Sequence, residues 1–270
     1  MNTSSSSRKP WFIFFALIIL LLSACNPAAL EPTQPSETPV VPVTEAPPQP
    51  DSEMPDGITL DFSTVAQDVI VETVEAQPAS AGGPYWEAAP QYRRLTLVGY
   101  PVANHLLMPQ IFIYPAGDLA SANENAGKIA AELDAMLDTQ QAGDHLPFLP
   151  LFNATQVMHA QVQYLDFQSG KGVRFLTQFD QAVLPINNYE LIYTFQGLTS
   201  DGKYYLAAVL PVTHPELPAG ADVSQQQADE MNDFPTYLSG MVTLLDQQPA
   251  GSFTPGLDEI DELVRSIDIR

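Results

Sequence analysis

Residues 190–212 read ELIYTFQGLTSDGKYYLAAVLPV, and they contain the clearest structural pattern in the chain. Two runs rich in β-branched and aromatic residues, at 190–198 and 203–212, flank the pair Asp201-Gly202. An Asp-Gly pair tolerates the positive φ values of a type I′ turn, whose twist matches that of the strands it joins. The stretch therefore predicts an antiparallel β-hairpin closed by a type I′ turn.

Four stretches before the hairpin also predict strands. Residues 92–102 and 108–115 are rich in β-branched and aromatic residues and are bounded by Pro and Gly. Residues 157–168 alternate between apolar and polar side chains, but the parity changes after Tyr164, which predicts a β-bulge near that residue. Residues 173–179 alternate with the period of two that is typical of a strand.

Helical periodicity lies on both sides of these strands. Residues 118–138 place apolar side chains three and four positions apart, which predicts one amphipathic helix, and Ser121 with Glu124 forms a candidate capping box. Residues 231–245 repeat this spacing, with Ser224 and Gln227 as a candidate cap pair before them. Because proline breaks the hydrogen bonds of a helix interior, Pro235 predicts a kink or two abutting helices.

The C-terminal residues predict a short acidic helix at 257–264 and an edge strand at 266–269. We expect the acidic side chains of this helix to lie on its solvated face, because no Gly-containing loop lets them converge on calcium. Strands with helices before and after them indicate an α+β fold, an antiparallel sheet packed with helices. The acidic side chains in question are Asp258, Glu259, Asp261 and Glu262.

The composition excludes several classes of protein. The 270 residues include 32 acidic and 10 basic side chains, for a net charge of -22, so there is no basic surplus to neutralise nucleic-acid phosphates. The single cysteine, Cys25, excludes an internal disulfide framework and a multi-cysteine metal site. Residues 58–270 contain 26 acidic and 8 basic side chains, a surface that favours solubility.

The first residues have the layout of an export signal. Residues 1–10 are polar and end in two bases, and the apolar run 11–22 is shorter than the ~20 residues needed to cross a bilayer. The run leads into Leu22-Ser23-Ala24-Cys25, which resembles the lipobox of bacterial lipoproteins. The resemblance implies a signal peptide at 1–24, cleavage between Ala24 and Cys25, and lipid on the Cys25 sulfur. An uncleaved signal anchor with an incidental cysteine is the alternative.

A proline-rich segment separates Cys25 from the predicted domain. Residues 26–57 contain nine Pro, six acidic side chains and no basic one. This composition predicts that residues 25–57 form an extended linker, although a proline-rich ligand for a partner domain is an alternative. Residues 58–270 are enough for a single α+β extracytoplasmic domain.

Two resemblances concern this predicted domain. The segments LPFLPLFNATQ, GKGVRFLTQF and PINNYELIYTFQGLTSDGKYYLAAVLPV resemble a family of exported bacterial proteins to which no activity is assigned. The ending LDEIDELVRSIDI, a helix followed by a strand, is similar to the end of PsbP/Mog1-like domains. The second resemblance implies an α/β/α sandwich.

The sequence offers few catalytic candidates. The motifs GxSxG, HExxH, GxxxxGK[ST] and GxGxxG are absent, and the four histidines show no metal-ligand spacing, so we expect no metal and no cofactor. Asp144 and His145 are the first candidates if the protein is a hydrolase of the cell envelope. The aromatic residues Tyr189, Tyr193 and Tyr205 are candidates for a ligand platform on one sheet face, unless helices or the loop 146–156 cover them.

These observations favour a non-catalytic binding or interaction module, anchored to the cell membrane and facing outward. The expected partners are the membrane, through the lipidated N-terminus, and an envelope protein or ligand, but not nucleic acid. The alternative is an envelope hydrolase with its site near Asp144 and His145. The solute receptor of an importer is less favoured, because the sequence shows no two repeated βαβ lobes.

Overall fold

The computed structural model describes residues 57–80, 82–222 and 231–270. A seven-stranded antiparallel sheet occupies the centre of the described residues, and two short strands pair in a separate ribbon. The strands are β1 Ile58–Thr59, β2 Asp68–Val74, β3 Tyr92–Val98, β4 Gln110–Pro115, β5 Thr155–Phe167, β6 Gly170–Asp180, β7 Ile192–Thr199, β8 Tyr204–Pro211 and β9 Asp268–Ile269.

The order of strands in the large sheet is β2-β3-β4-β8-β7-β6-β5, and β1 pairs with β9 in the ribbon. Helices pack on the sheet, as predicted from the run of strands with helical segments before and after it. The α-helices of the described residues are α1 Ala116–Ala122, α2 Glu124–Thr139, α3 Phe234–Asp246 and α4 Leu257–Ser266. Short 3₁₀ helices occupy Tyr85–Glu87, Met231–Asp233 and Ala250–Ser252.

The buried residues on the two faces of the sheet belong to two separate hydrophobic clusters. The ribbon face, which includes Ile111 and Ile113, packs with β1, β9, α3 and α4. The α2 face, which includes Phe112 and Tyr114, packs with α1, α2 and the loop 146–152. Because successive side chains of a strand point to opposite faces, the neighbouring positions of β4 separate into the two clusters. The antiparallel α+β prediction is therefore confirmed.

The predicted hairpin is confirmed as β7 and β8, but its type I′ turn is wrong. Residues 200–203 connect the strands, and only Gly202 of this loop has a positive φ, of 69°. The Asp201 carboxylate accepts hydrogen bonds from the Thr199 hydroxyl (2.7 Å) and the Lys203 N–H (3.1 Å). Hydrogen bonds from Lys203 and Thr199 lower the pKa of Asp201 to about 2. The carboxylate thus supports a wider loop than two residues.

The helix predicted over 118–138 is two helices, α1 and α2, which meet at Asn123. The backbone of Asn123 is extended, and its side-chain oxygen accepts hydrogen bonds from the N–H groups of Asn125 (3.0 Å) and Ala126 (3.4 Å). The Ser121 hydroxyl instead donates to the carbonyl of Asp118. The predicted capping box is therefore wrong, because Asn123 satisfies the first N–H groups of α2.

Pro235 does not kink a helix, because it lies in the first turn of α3. The first N–H groups of a helix have no partner within it, so a proline there loses no hydrogen bond. The Asp233 side chain caps this helix by accepting from the Thr236 N–H at 3.4 Å. The predicted cap pair Ser224 and Gln227 lies outside the described residues.

The predicted bulge lies slightly earlier than Tyr164. The pairing of β5 with β6 shifts between Ala160 and Gln163, and Gln161 has a positive φ of 55°. The Gln161 side chain donates to the Leu245 carbonyl at 2.7 Å and to the Gln248 carbonyl at 3.0 Å. The bulge therefore joins β5 to the C-terminal end of α3.

The predicted C-terminal helix and edge strand are confirmed as α4 and β9. In the ribbon, Ile58 pairs with Ile269 and Thr59 pairs with Asp268. The Arg270 N–H also donates to the Gly57 carbonyl at 2.7 Å. The first and last strands of the described residues therefore close on each other over the ribbon face of the sheet.

Candidate functional site

The sequence-predicted site residues are not gathered in one place. Ala24 and Cys25 lie outside the described residues. Asp144 and His145 are both exposed, in the loop between α2 and β5. Burial lowers the pKa of the neighbouring His159, and the charge of Asp246 opposes that effect.

The proposed tyrosine platform is wrong for two of its three residues. Tyr193 and Tyr205 are each 0% exposed, and Tyr189 is half-buried. The Tyr193 hydroxyl donates to Asp261 of α4 at 2.8 Å, on the ribbon face. The Tyr205 hydroxyl donates to the side-chain oxygen of Gln196 at 2.7 Å, on the α2 face. Helix α4 thus covers Tyr193, and the loop 146–152 covers Tyr205.

Two of the histidines, His105 and His214, contact neighbouring residues of the fold. The ring of His105 lies within hydrogen-bonding distance of the carbonyls of Leu107 (3.2 Å) and Leu191 (2.9 Å). The His214 ring lies 3.1 Å from the Ser252 hydroxyl and packs on Phe253. Burial lowers the pKa of both rings. Among the described residues, no group of three or more His, Cys, Asp or Glu side chains could hold a metal ion.

A buried ion pair joins the sheet to α4. The Nε atom of Arg174 lies 3.4 Å from Asp261, and the two side chains are 5% and 6% exposed. Burial raises the pKa of Asp261, and the charge of Arg174 opposes the rise. The prediction that Asp261 lies on a solvated face is therefore wrong, although Asp258, Glu259 and Glu262 are exposed.

Arg174 has further partners at the bulge. One terminal nitrogen donates to the Gln161 carbonyl at 2.5 Å, and the other donates to the Gln163 side chain at 2.8 Å. A shallow groove of about 530 Å³ lies over these residues and includes His159 and Asp246. Because Arg174 already has a carboxylate, a carbonyl and an amide as partners, its contacts explain how β5, β6 and α4 are held together.

A second cavity, of about 230 Å³, lies on the ribbon face beside β1 and β9. We call it the arginine pocket. Its apolar lining consists of Ile58, Ile113, Pro115, Tyr204 and Ile269. Its other lining residues are Thr73, Gln91, Tyr92, Arg93 and Arg270.

The register of the sheet brings the floor of the arginine pocket together. Thr73 of β2 pairs with Arg93 of β3, which pairs with Ile113 of β4. Pro115 of β4 pairs with Tyr204 of β8. Paired residues of antiparallel strands share a face, and Ile113 and Pro115 are two positions apart on β4, so these side chains lie in two neighbouring rows on one face of four adjacent strands. Strands β3, β4 and β8 are paired on both sides and β2 on one, so backbone hydrogen bonds hold the floor in place.

The two arginines of the pocket differ in their partners, because Arg270 has a carboxylate partner and Arg93 has none in the part of the chain that the structure describes. Among the described residues, carboxylates pair with Arg94, Arg174, Arg265 and Arg270, whereas the hydrogen-bond partner of Arg93 is the Thr73 hydroxyl. The partner of Arg270 is Asp268, at 2.8 Å. The Arg93 guanidinium therefore lies in the pocket without an ion-pair partner among the described side chains.

Sequence reasoning missed the arginine pocket. Strand alternation predicts that Arg93 shares a face with Leu95 and Leu97, but the ribbon that borders the pocket joins residues more than 200 positions apart. The unusual feature in the sequence is an arginine on the apolar side of a strand.

Comparison with protein-family models, curated proteins and solved structures gives no match for this chain. Within the part of the chain that the structure describes, no helix has the length and apolar character needed to span a membrane. The assignment of a function therefore depends on the sequence motifs and on the geometry described above.

Proposed function

We propose that this protein is a lipid-anchored lipoprotein on the extracytoplasmic side of a cell membrane, and that its domain is a non-catalytic binding module. The observation that carries the proposal is Leu22-Ser23-Ala24-Cys25 directly after a charged and then apolar N-terminal stretch. One acyl chain gives only marginal attachment, whereas each buried methylene adds ~0.8 kcal/mol, so two or three chains on Cys25 anchor a protein durably.

The proline-rich composition of residues 26–57 supports this arrangement. A fully extended polyproline-like chain spans ~3.1 Å per residue, so this stretch has a maximum reach on the order of 100 Å. The screening length of physiological salt is ~8 Å, so a domain at even a fraction of that reach escapes repulsion by anionic lipids. The spacer is therefore compatible with the 26 acidic side chains of residues 58–270.

The chemistry of the arginine pocket supports binding rather than catalysis. Its lining offers the guanidinium donors of Arg93 beside an apolar floor, whereas the Gln91 amide already donates to Glu75 at 3.2 Å. The lining includes no His, Asp, Glu or Cys side chain that would move a proton or attack a substrate. The Thr73 hydroxyl is already engaged with Arg93. Convergent donors on a rigid, partly apolar surface are typical of a ligand site.

The finer fold assignment is also part of the proposal. We infer that the domain is an α/β/α sandwich similar to PsbP/Mog1-like domains. The antiparallel sheet with helices on each face and the terminal helix followed by β9 support this likeness. An experimental structure of this domain whose strand order differs from that of PsbP/Mog1-like domains would contradict the likeness.

Metabolic labelling with an alkyne fatty acid tests the anchor. We expect label in the wild-type protein and none in Cys25→Ala, because the chain has no other cysteine. Ser23→Ala is the matched control, since it keeps a small residue before the cleavage site and should retain the label. Equal labelling of the wild type and Cys25→Ala would contradict the proposal.

The hydrolase near Asp144 and His145 remains the alternative prediction. A screen of ester, amide and glycoside substrates with the full chain addresses it. Turnover that the wild type shows and His145→Ala lacks would support the alternative and overturn the assignment as a non-catalytic module.

A further inference from the structure

We propose that the arginine pocket binds a small organic carboxylate, with the anionic group on Arg93 and the apolar part on the floor of the pocket. This inference rests on the proposed role of the domain as a binding module, and it names the chemical class of the ligand.

The charge of the pocket lining is opposite to that of the rest of the domain. Residues 58–270 contain 26 acidic and 8 basic side chains, yet the lining has two arginines and no Asp or Glu side chain. The groove over the bulge, by contrast, includes Asp246, and an apolar depression beside Leu106 includes Glu190. Arg270 is paired with Asp268 at 2.8 Å, so the uncompensated positive charge of the lining is that of Arg93, and the pocket favours an anion at that side chain.

The guanidinium of Arg93 has donors to spare. An arginine side chain has five N–H donors in a planar fork, and one terminal nitrogen of Arg93 contacts the Thr73 hydroxyl. The planar fork matches the two oxygens of a carboxylate, and a bidentate pair of this kind is stronger than a neutral hydrogen bond. The contact with Thr73 holds the fork on the face of β3 that borders the pocket.

The remainder of the pocket fits an apolar group of limited size. Ile58, Ile113 and Tyr204 provide the apolar surface. The volume of about 230 Å³ is below the ~300–1,000 Å³ that is typical of sites for drug-sized ligands. A carboxylate with a short aliphatic or aromatic substituent matches both the apolar surface and the small volume.

The net charge of the domain selects a carboxylate over a phosphate group. A phosphate ester carries a charge of about -1.5 to -2 at neutral pH, whereas a carboxylate carries a single charge. The long-range repulsion from the acidic surface grows with the charge of the ligand. A single negative charge is therefore repelled less by the acidic surface, and an apolar substituent adds contact with the floor of the pocket.

The test uses 4-fluorobenzoate and the full chain in detergent, with ¹⁹F line broadening as the readout. We expect saturable binding to the wild type and an affinity lowered about tenfold or more in Arg93→Gln, because the charged fork is removed. Arg94→Gln is the matched control: it removes the same charge from the next position of β3, where Arg94 faces away and pairs with Glu72 at 3.0 Å. Its affinity should stay within about twofold of the wild type, since it does not line the pocket.

Two further arms define the ligand class. Arg93→Lys keeps the charge without the fork, so its affinity should lie between those of the wild type and Arg93→Gln. Inorganic phosphate should displace the probe less effectively than unlabelled benzoate at equal concentration. Circular dichroism checks that each variant is folded, and Arg93→Lys carries the test if Arg93→Gln unfolds.

Three results would overturn the proposal: no saturable binding to the wild type, equal losses in Arg93→Gln and Arg94→Gln, or displacement by phosphate as effective as by benzoate. The lipid anchor is tested separately, because Cys25→Ala should bind the probe as the wild type does. Failure of fatty-acid labelling therefore overturns the anchor alone, and failure of probe binding overturns the ligand class alone.

Discussion

Arg93 and Arg174 lie on the same face of one sheet, but their surroundings differ. Arg174 is buried on β6 and has a carboxylate, a carbonyl and an amide as partners. Arg93 lies on β3 beside the ribbon and contacts a hydroxyl. A buried charge is tolerated when it is paired with an opposite charge, as Arg174 is with Asp261, whereas an accessible one can keep donors for a ligand. The comparison distinguishes an arginine that stabilises the fold from one whose donors are available to a ligand.

The largest expected effect is the loss of the buried cation. Arg174→Met leaves the Asp261 carboxylate buried without its main charged partner, so the free energy of unfolding should fall by about 3–5 kcal/mol. Arg94→Met should cost no more than about 1 kcal/mol, because the side chains of the Arg94–Glu72 pair are 33% and 48% exposed, so solvent screens it. Urea denaturation measures both changes. Similar losses in the two variants would remove the distinction between a buried and an exposed arginine.

The double variant Arg174→Met/Asp261→Leu extends this prediction. A buried ion pair replaced by apolar side chains of similar volume is often neutral or stabilising, so the double variant should regain most of the loss. Losses that simply add would show that the two side chains act independently, contrary to the geometry.

The bulge beside Arg174 gives a smaller effect. Gln161→Ala loses the hydrogen bonds to α3 and keeps a left-handed backbone, so its free energy of unfolding should fall below that of the wild type. Gln161→Gly also loses those bonds but relieves the left-handed strain, so it should be about 1 kcal/mol more stable than Gln161→Ala. Thermal unfolding compares the variants, and an alanine variant as stable as the glycine variant would contradict the strain.

The pH dependence of the buried pair should be smaller again, because two effects on Asp261 oppose each other. Burial raises the pKa of Asp261, and Arg174 counteracts it. The folded state thus holds this proton more tightly than the unfolded chain. The associated stability is fully present below the unfolded pKa of ~3.9 and is lost as pH rises through the folded pKa. The wild type should therefore lose stability relative to Asp261→Asn as pH rises above ~4.

Urea denaturation of the wild type and Asp261→Asn across this pH range isolates the titration of Asp261, since every other acidic group is common to both. If the wild type instead gained stability relative to Asp261→Asn as pH rises, attraction by Arg174 would outweigh burial. That result would reverse the assigned direction of the pKa shift.

The smallest effect on stability is expected at Arg93. Arg93→Gln should change the free energy of unfolding by no more than about 0.5 kcal/mol, because no described carboxylate loses an ion pair. The same variant should lose the carboxylate probe. A loss of stability comparable to that of Arg174→Met would show that Arg93 is structural, and the comparison would fail.

Local patterns predicted much of this fold. The hairpin of β7 and β8, the strands before it and the terminal helix α4 follow from periodicity and turn residues, and the structure confirms each of them. Asn123 shows the limit of periodicity: the apolar spacing of residues 118–138 continues across the break, and only a side-chain cap distinguishes two helices from one. The type I′ turn was wrong because side-chain hydrogen bonds again decided the local structure. The Asp201 carboxylate accepts hydrogen bonds from Thr199 and Lys203 in a loop that is wider than two residues.

The candidate site could not be predicted in the same way, because it depends on distant parts of the chain. Asp261 has the sequence context of a solvated helix face, and its burial depends on Arg174 and Tyr193 of the sheet. Tyr193 and Tyr205 were expected on one open face, but they lie on opposite faces, where α4 covers Tyr193 and the loop 146–152 covers Tyr205. The arginine pocket requires the pairing of β1 with β9, for which no local pattern exists.

The pairing of β1 with β9 also has a mechanical consequence. Everything that precedes Gly57 is joined to the domain through β1, whose two residues pair with β9. Tension applied through the preceding chain therefore reaches this ribbon first, and Ile58, Ile269 and Arg270, at the ribbon, also line the arginine pocket. Under load the ribbon should yield before the seven-stranded sheet, as an early low-force step in single-molecule pulling from residue 57. Force on the preceding chain would then be transmitted directly to the walls of the arginine pocket.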